Sequence, residues 1–207
     1  MALFFVDANA LFIHIPKTAG TWVEQAAQRA RLRVVRIPER TTAKLHKHLP
    51  RDRHGYPEAL TWAAIRRPDD WYTSWFRYAR ARGWPDYRHT ADHPQTCLAD
   101  CATDSFEQFV RCCMSRHPGY LSSLYRRYTA GLDFVGTTDH LCADFRRVLQ
   151  TRIVLPPLDP TPVHVSKGPL PFWPSDLREA LLATEAEALQ LWEDAYEYRQ
   201  ALGSYAA

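Results

Sequence analysis

Long apolar runs are missing from this sequence. A helix that spans a bilayer needs about 20 consecutive apolar residues, and no stretch of the 207-residue chain approaches that length. The N-terminal stretch MALFFVDANALFIHI is mostly apolar, but it lacks a basic start and is interrupted by Asp7 and Asn9. It therefore predicts a first core strand rather than a signal peptide. We expect a cytoplasmic protein without a transmembrane segment.

A strong charge imbalance is also missing. The chain has 26 basic and 23 acidic residues, a formal net charge of +3, and its basic residues are scattered. This pattern argues against a nucleic-acid partner and suits a small anionic ligand. Hydrophobic residues make up 46% of the chain, which excludes a disordered polypeptide. The length favours a single domain over residues 1–207 without internal repeats; it leaves the oligomeric state open.

Cysteines are few, and their number is odd: Cys97, Cys101, Cys112, Cys113 and Cys142. Because no export signal is found, reduced thiols are the simpler expectation. A histidine or cysteine recurs every fourth residue at His89, His93, Cys97 and Cys101. A helix would align these four side chains, so a zinc site is conceivable. Their spacing matches no familiar zinc motif, and a loop is the alternative that we favour.

Apolar runs alternating with helical patterns predict an α/β fold. Strands are expected at 11–15, 33–37, 60–65 and 132–136, and helices at 23–30, 68–83, 106–113, 139–152 and 176–202, with a short helix at 42–49. Ser175 is the expected N-cap of the last helix. This alternation favours a central parallel sheet flanked by helices on both faces. The irregular stretch at about 84–104 predicts a lid or an insertion.

The stretch 12–24, FIHIPKTAGTWVE, has the pattern of an anion-binding turn. A β-prone run leads into a short turn with a glycine and hydroxyls, and a helical pattern follows. The first N–H groups of such a helix, and the positive end of its dipole, face a bound phosphate or sulfate. Lys17 would add a mobile charge, and Thr18 and Thr21 would add donors. Only four of the 26 basic residues are lysines, which suggests a compact ammonium in a narrow loop.

This turn is not a Walker loop. That motif places four residues between an opening glycine and a Gly-Lys-Ser/Thr end, whereas Lys17 here precedes Gly20 and no glycine opens the turn. An ordinary strand–helix turn with an exposed lysine is the alternative.

A second strand–loop–helix corner follows the apolar run at 60–65. Its sequence is RRPDDWYTS, which places Arg66 at the end of the strand, Pro68 at the start of a helix and Ser74 about two turns into it. Arg66 would either bind an anion or form a salt bridge with Asp69 or Asp70. Ser74 would either donate a hydroxyl to that anion or lie on the helix surface.

Taken together, the two corners resemble those of the sulfotransferases that use 3′-phosphoadenosine 5′-phosphosulfate (PAPS). In that family a Pro-Lys-Thr-x-Gly-Thr loop cradles the 5′-phosphosulfate, and a later Arg-x-Pro-x-x-x-x-x-Ser segment binds the 3′-phosphate. PKTAGT and RRPDDWYTS match both segments in this order. The FVGTTDHL unit, the HVSK loop and the last helix extend the resemblance, which is to compact bacterial members related to carbohydrate sulfotransferases. It implies a P-loop nucleotide-kinase-like sulfotransferase fold.

The resemblance also implies the reaction and a set of PAPS-binding residues: Lys17, Thr18, Ala19, Gly20, Thr21, Trp22, Arg66, Ser74 and Lys167. Trp22 would flank the adenine or, as we favour, pack in the core. A sulfuryl group would move to a hydroxyl or amine of a carbohydrate or another small acceptor, while Lys17 stabilises the leaving phosphate. No metal is expected. Side chains that would frame the acceptor are Trp75, Arg77, Tyr78, Arg80, Arg82, Trp84 and Tyr87.

The general base is the weakest part of the resemblance. Relatives carry a His or Glu just after the second strand, and this chain reads PERTTAKLHKH there, with Arg40 where the histidine is expected. The nearby candidates, in order of preference, are His46, Glu39 and His48; His14 and Glu24 are more remote. Two alternatives to a sulfotransferase follow: a nucleotide-binding protein without turnover, and a nucleotide or nucleoside kinase.

Overall fold

A five-stranded mixed sheet forms the centre of the α/β fold. The computed structural model describes residues 2–37, 56, 58–84, 94–158, 161 and 169–203. The strands are β1 (Ala2–Phe5), β2 (Ala10–Phe12), β3 (Val34–Ile37), β4 (Leu60–Ile65) and β5 (Phe134–Thr137), in the order β3-β1-β2-β4-β5. No helix within these ranges is long and apolar enough to cross a membrane.

The helices follow the strands singly or in groups along the described ranges. They are α1 (Gly20–Arg29), α2 (Pro68–Ala81), α3 (Pro94–Cys97), α4 (Phe106–Arg116), α5 (Tyr120–Thr129), α6 (Leu141–Gln150), α7 (Ser175–Thr184) and α8 (Ala186–Gly203). Two short 3₁₀ helices span Ala99–Cys101 and Thr138–His140. The predicted strands at 33–37, 60–65 and 132–136 are confirmed, and so are the helices that begin near residues 20, 68, 106 and 139.

The N-terminal part of the sheet is antiparallel, which corrects the prediction of a parallel sheet. The first apolar stretch is a hairpin, β1 and β2, and not one strand; β1 also pairs antiparallel with β3. Asp7 and Asn9 lie in the turn, where Asn9 adopts a φ of 43° and its side-chain amide donates to the Glu58 carbonyl at 3.0 Å. Such residues favour tight turns because they tolerate the left-handed region. Among the strands of the described ranges, only β2, β4 and β5 are parallel.

Helices cover both faces of the sheet, as predicted. Leu11 and Ile13 point into a core cluster with α2, α4, α5 and α7, whereas Phe12 and Trp62 point into a second cluster with α1 and α6. The alternation along β2 follows from the two-residue period of a strand. Because the carboxyl ends of the parallel strands meet at one edge, the loops after β2, β4 and β5 lie together there.

The last helix departs from its prediction. The helix expected at 176–202 is two helices, α7 and α8, with a break at Glu185. Ser175 is the first residue of α7 rather than its N-cap, which is Pro174. The break puts the Glu185 carboxylate at the start of α5, a helix that the sequence did not predict. There it accepts hydrogen bonds from the free N–H groups of the first turn.

The expectation of reduced cysteines is wrong for two of the five, because Cys101 and Cys112 form a disulfide. This bond also removes Cys101 from the zinc group suggested by the four-residue spacing. Its other members include His89 and His93, which lie outside the described residues. The short helix expected at 42–49 and residues 85–93 of the expected lid also lie outside them.

Candidate anion-binding site

The loop after β2 adopts a tight and strained path. Lys17 and Ala19 have φ angles of 66° and 63°, a left-handed conformation that side chains other than glycine rarely adopt. Between them, Thr18 is fully buried and its hydroxyl donates to the Ile15 carbonyl at 2.9 Å. The Thr18 side chain therefore shapes the loop from inside, and its contact with a ligand stays a prediction. Left-handed residues of this kind cluster at functional sites.

Gly20 begins α1 beneath an aromatic ring. A Cβ atom at Gly20 would lie 2.1 Å from Cδ2 and 2.2 Å from Nε2 of His14. Only glycine leaves room for the imidazole at this distance. The glycine of the loop is therefore required by the packing of His14 against the start of the helix.

The first turn of α1 offers unpaired donors. The N–H of Trp22 bonds the Ala19 carbonyl at 2.9 Å, closing the turn. Among the described residues, the N–H groups of Gly20 and Thr21 have no acceptor. These two groups, with the positive end of the ten-residue helix, can bind an anion.

A tryptophan of α2 holds the loop in place. The indole N–H of Trp71 donates to the Pro16 carbonyl at 2.8 Å, and both residues are buried. Pro16, directly before Lys17, is thereby bonded to α2. This helix begins at the second corner. The two corners are thus joined by one buried hydrogen bond.

The Lys17 ammonium lies in a cationic environment. Its Nζ is 3.9 Å from the centroid of the Tyr78 ring, and the guanidinium carbon of Arg82 is 5.2 Å from the same centroid. Burial, followed by the charges of Arg66 and Arg82, lowers the pKa of Lys17 to about 8. These positive charges favour an anionic ligand, because such a ligand would offset their mutual repulsion.

Arg66 projects from the second corner toward this environment. Its backbone is fixed by Tyr125, whose hydroxyl accepts from the Arg66 N–H at 2.9 Å and donates to the Arg66 carbonyl at 2.7 Å. Burial lowers the pKa of the guanidinium, although it remains charged at neutral pH. Within the described ranges Arg66 forms no salt bridge: Asp69 pairs with Arg67 and Arg178, and Asp70 acts on Arg66 only through its charge.

Ser74 lies on the face of α2 that also carries Asp70 and Tyr78. Asp70, one turn earlier, acts electrostatically on Arg66, and Tyr78, one turn later, contacts Lys17. Residues four apart share a helix face, so Ser74 lies between them and is half-buried. Arg66 after β4 and Lys17 after β2 lie at the same edge of the sheet, and the contact of Ser74 with the same anion stays a prediction.

The other predicted site residues fall into two groups: those with contacts in the structure and those outside the described residues. Trp22 is buried in the core, with its ring centroid 5.7 Å from that of Phe145, which agrees with the favoured alternative of core packing. Glu24 forms a salt bridge with Arg36, and His14 packs over Gly20. The candidates that lie outside the described residues are Glu39, Arg40, His46, His48 and Lys167.

Two residues that define this site were not predicted from the sequence. Trp71 and Tyr125 were missed because their partners are 55 and 59 residues away along the chain. The site they build has two cations, free N–H donors and a hydroxyl at the carboxyl edge of the parallel strands.

Comparisons of the chain with family models, with curated proteins and with solved structures find no match.

Proposed function

We propose that the protein is a PAPS-dependent sulfotransferase. The observation that carries the proposal is the hydrogen bond of 2.8 Å from Trp71, at the second corner, to the Pro16 carbonyl beside Lys17. It brings the Lys17 loop and the Arg66 corner together, and the Arg66 charge accordingly lowers the pKa of Lys17. The two cations come from two separate corners. Within the described ranges, no carboxylate forms a salt bridge with either of them. Partly buried like charges are costly unless an anion joins them.

A ligand with two anionic groups would satisfy this arrangement. In PAPS, the phosphosulfate would face Lys17 and the N–H groups of Gly20 and Thr21. The terminal 3′-phosphate, with a charge of about −2 at pH 7, would face Arg66 and the Ser74 hydroxyl. Each charge-assisted hydrogen bond would contribute roughly 1.5–3 kcal/mol. The Tyr125 and Trp71 contacts would keep the two anion sites at a fixed separation.

The proposed reaction breaks the bond between sulfur and the oxygen that bridges it to the 5′-phosphate. A hydroxyl oxygen or an amine nitrogen of a carbohydrate or another small acceptor forms the new bond to sulfur. The bridging oxygen leaves with the electron pair as part of adenosine 3′,5′-bisphosphate, and Lys17 would stabilise its growing negative charge. The acceptor proton would pass to a base, for which His46 and Glu39 remain the proposed residues.

Calorimetry with adenosine 3′,5′-bisphosphate tests the nucleotide site. We expect binding without a divalent metal, and a Lys17→Ala or Arg66→Ala change should weaken it by roughly 10- to 150-fold, the equivalent of one lost charge-assisted contact. Arg152→Ala is the matched control. Arg152 is exposed and follows the carboxyl end of α6. No binding at millimolar concentration would overturn the proposal.

Turnover distinguishes the sulfotransferase from its alternatives. Labelled PAPS is incubated with a panel of sugars, phenols and amines, and transfer of the label is measured. Lys17→Ala should lower turnover at least 100-fold, because the leaving oxygen loses its charged partner. Bisphosphate binding without transfer to any acceptor would indicate a nucleotide-binding protein, and preferential binding of ATP with magnesium would indicate a kinase.

A further inference from the structure

A second group of reactive side chains lies around the disulfide. Cys101 ends the 3₁₀ helix Ala99–Cys101, Cys112 lies on α4, and His117 caps the carboxyl end of α4. Asp100 lies among them: His117 Nε2 is 2.8 Å from its Oδ1, and the Cys112 sulfur is 3.8 Å from its backbone carbonyl. None of these contacts belongs to the anion site.

The donor atoms lie close enough together to converge on one metal ion after small side-chain movements. One ligand atom each from Asp100, Cys101 and His117 lies within 4.8 Å of the other two, and the Cys112 sulfur is bonded to that of Cys101. Zinc binds sulfur at about 2.3 Å and nitrogen or oxygen at about 2.0–2.2 Å in a tetrahedron. Two thiolates, an imidazole and a carboxylate form such a set once the sulfurs are no longer bonded to each other.

We propose that the disulfide and a zinc site are alternative states of this group. A thiol reductant supplies two electrons and two protons, which convert the Cys101–Cys112 bond into two thiols while the reductant becomes a disulfide. Zn²⁺ then displaces both thiol protons and is bound by Cys101, Cys112, His117 and Asp100. In the reverse step a disulfide oxidant accepts two electrons from the two thiolates and two protons from water and becomes two thiols. The Cys101–Cys112 bond forms again, which withdraws two ligands and releases the metal.

The charges around the group balance in the zinc state. Two thiolates and one carboxylate supply three negative charges, and zinc supplies two positive ones. Arg116, whose guanidinium is 3.2 Å from the second oxygen of Asp100, supplies the remaining positive charge. A partner of this kind orients a ligating carboxylate and tunes its affinity. The cluster would therefore bind zinc without an uncompensated charge.

The backbone around the group already has a defined geometry. The N–H of Cys101 donates to the Leu98 carbonyl at 3.1 Å, and the N–H of His117 donates to the Cys113 carbonyl at 2.8 Å. Cys112 is partly exposed, which gives a reductant access to its sulfur, whereas Cys101 is buried. In either state Cys101, which follows α3, is linked to Cys112 of α4, by the disulfide in one state and by the metal ion in the other.

Zinc binding by the reduced full-length protein tests the proposal. The protein is reduced with a phosphine, the phosphine is removed without air, and Zn²⁺ is titrated in competition with a chromophoric chelator. We expect one zinc per chain in the reduced form and none in the oxidised form. Co²⁺ should give thiolate charge-transfer bands and the intense visible bands of tetrahedral coordination.

Variants identify the ligands. Cys112→Ser should abolish the tight site, and His117→Ala and Asp100→Asn should lower zinc affinity ~10–100-fold. Cys142→Ser is the matched control, since Cys142 is a partly exposed thiol on α6, across the sheet from α4. Circular dichroism verifies that each variant is folded, and His117→Ala retains both cysteines. No zinc in the reduced protein, equal binding by the oxidised protein, or unchanged affinity in His117→Ala would each overturn the proposal.

Discussion

The Lys17 ammonium nitrogen lies 3.9 Å from the centroid of the Tyr78 ring, and Arg82 contacts the same ring. A cation over an aromatic face is attracted by the ring quadrupole. The ring therefore partly offsets the repulsion that Lys17 experiences from the neighbouring arginines. It also restricts a long, flexible side chain to the neighbourhood of the free N–H groups of α1.

Replacing Tyr78 should weaken the anion site through Lys17. We expect Tyr78→Leu to lower the affinity for adenosine 3′,5′-bisphosphate about 3- to 30-fold, which corresponds to a cation–π contribution of about 0.5–2 kcal/mol. Tyr78→Phe retains the aromatic face and is the matched control, so its affinity should remain near that of the parent protein. Calorimetry measures both affinities. Equal affinities for the leucine and phenylalanine variants would show that the aromatic ring does not contribute to binding.

Bisphosphate binding should weaken as the pH rises above 8. The pKa of Lys17 is lowered to about 8, by burial first and then by Arg66 and Arg82. Below this pH the ammonium is charged and binds the anion directly. Above it, binding must first take up a proton, so the affinity should fall by up to about tenfold per pH unit, until the raised pKa of Lys17 in the complex is reached.

A Lys17→Arg variant provides the control for this pH dependence. A guanidinium remains charged throughout the range, so the fall in affinity between pH 8 and 10 should disappear even if overall binding is weaker. Calorimetry in buffers of different ionisation enthalpy would also reveal the proton uptake. An unchanged pH profile in Lys17→Arg would assign the titration to another group.

Both corners of the site are predictable from sequence because their signals are local. A strand, a short turn and a helix follow one another within about a dozen residues at Lys17 and again at Arg66. Contacts between distant residues carry no such pattern: Trp71 to Pro16 spans 55 residues, and Tyr125 to Arg66 spans 59. The relationship between the two corners is therefore a property of the tertiary structure.

The errors in the predicted fold have physical causes of the same kind. The hairpin was missed because apolar residues on both sides of Asp7 and Asn9 suggest one interrupted strand. The break in the last helix was missed because Glu185 is an ordinary helix-forming residue until α5 supplies donors for its carboxylate. The Cys101–Cys112 bond joins residues 11 apart, and an odd number of cysteines indicates no particular pairing.

The contact between His14 and Gly20 should make an alanine substitution context-dependent. A methyl group at Gly20 would collide with the imidazole, and we expect Gly20→Ala to lower the free energy of unfolding by about 1–3 kcal/mol. In a His14→Ala background the same change should be neutral or stabilising, because alanine favours helices over glycine. Urea denaturation of the four proteins in this double-mutant cycle measures the coupling. Equal costs in both backgrounds would contradict the proposed collision.

The buried Glu185 carboxylate should be a principal source of stability for the helices around α2. It accepts hydrogen bonds from the Tyr72 hydroxyl at 2.7 Å, from the N–H of Leu121 at 3.0 Å, and from the N–H and hydroxyl of Ser122 at 2.8 and 2.7 Å. Burial and this neighbouring carboxylate raise the pKa of Tyr72 well above its usual value, so the phenol remains a donor. The negative charge also stabilises the positive end of α5.

Glu185→Gln should therefore be severely destabilising although it changes the shape of the side chain very little. The NH₂ group of the glutamine would face N–H and hydroxyl groups that are themselves donors. We therefore expect the free energy of unfolding to fall by about 2–4 kcal/mol. Glu187→Gln is the matched control, since Glu187 is exposed and pairs with Arg126 at the surface, where such pairs contribute about 0–1 kcal/mol. Urea denaturation measures both variants. If both substitutions lower the free energy of unfolding by the same amount, the hydrogen bonds of the Glu185 carboxylate to the start of α5 do not contribute to stability as proposed.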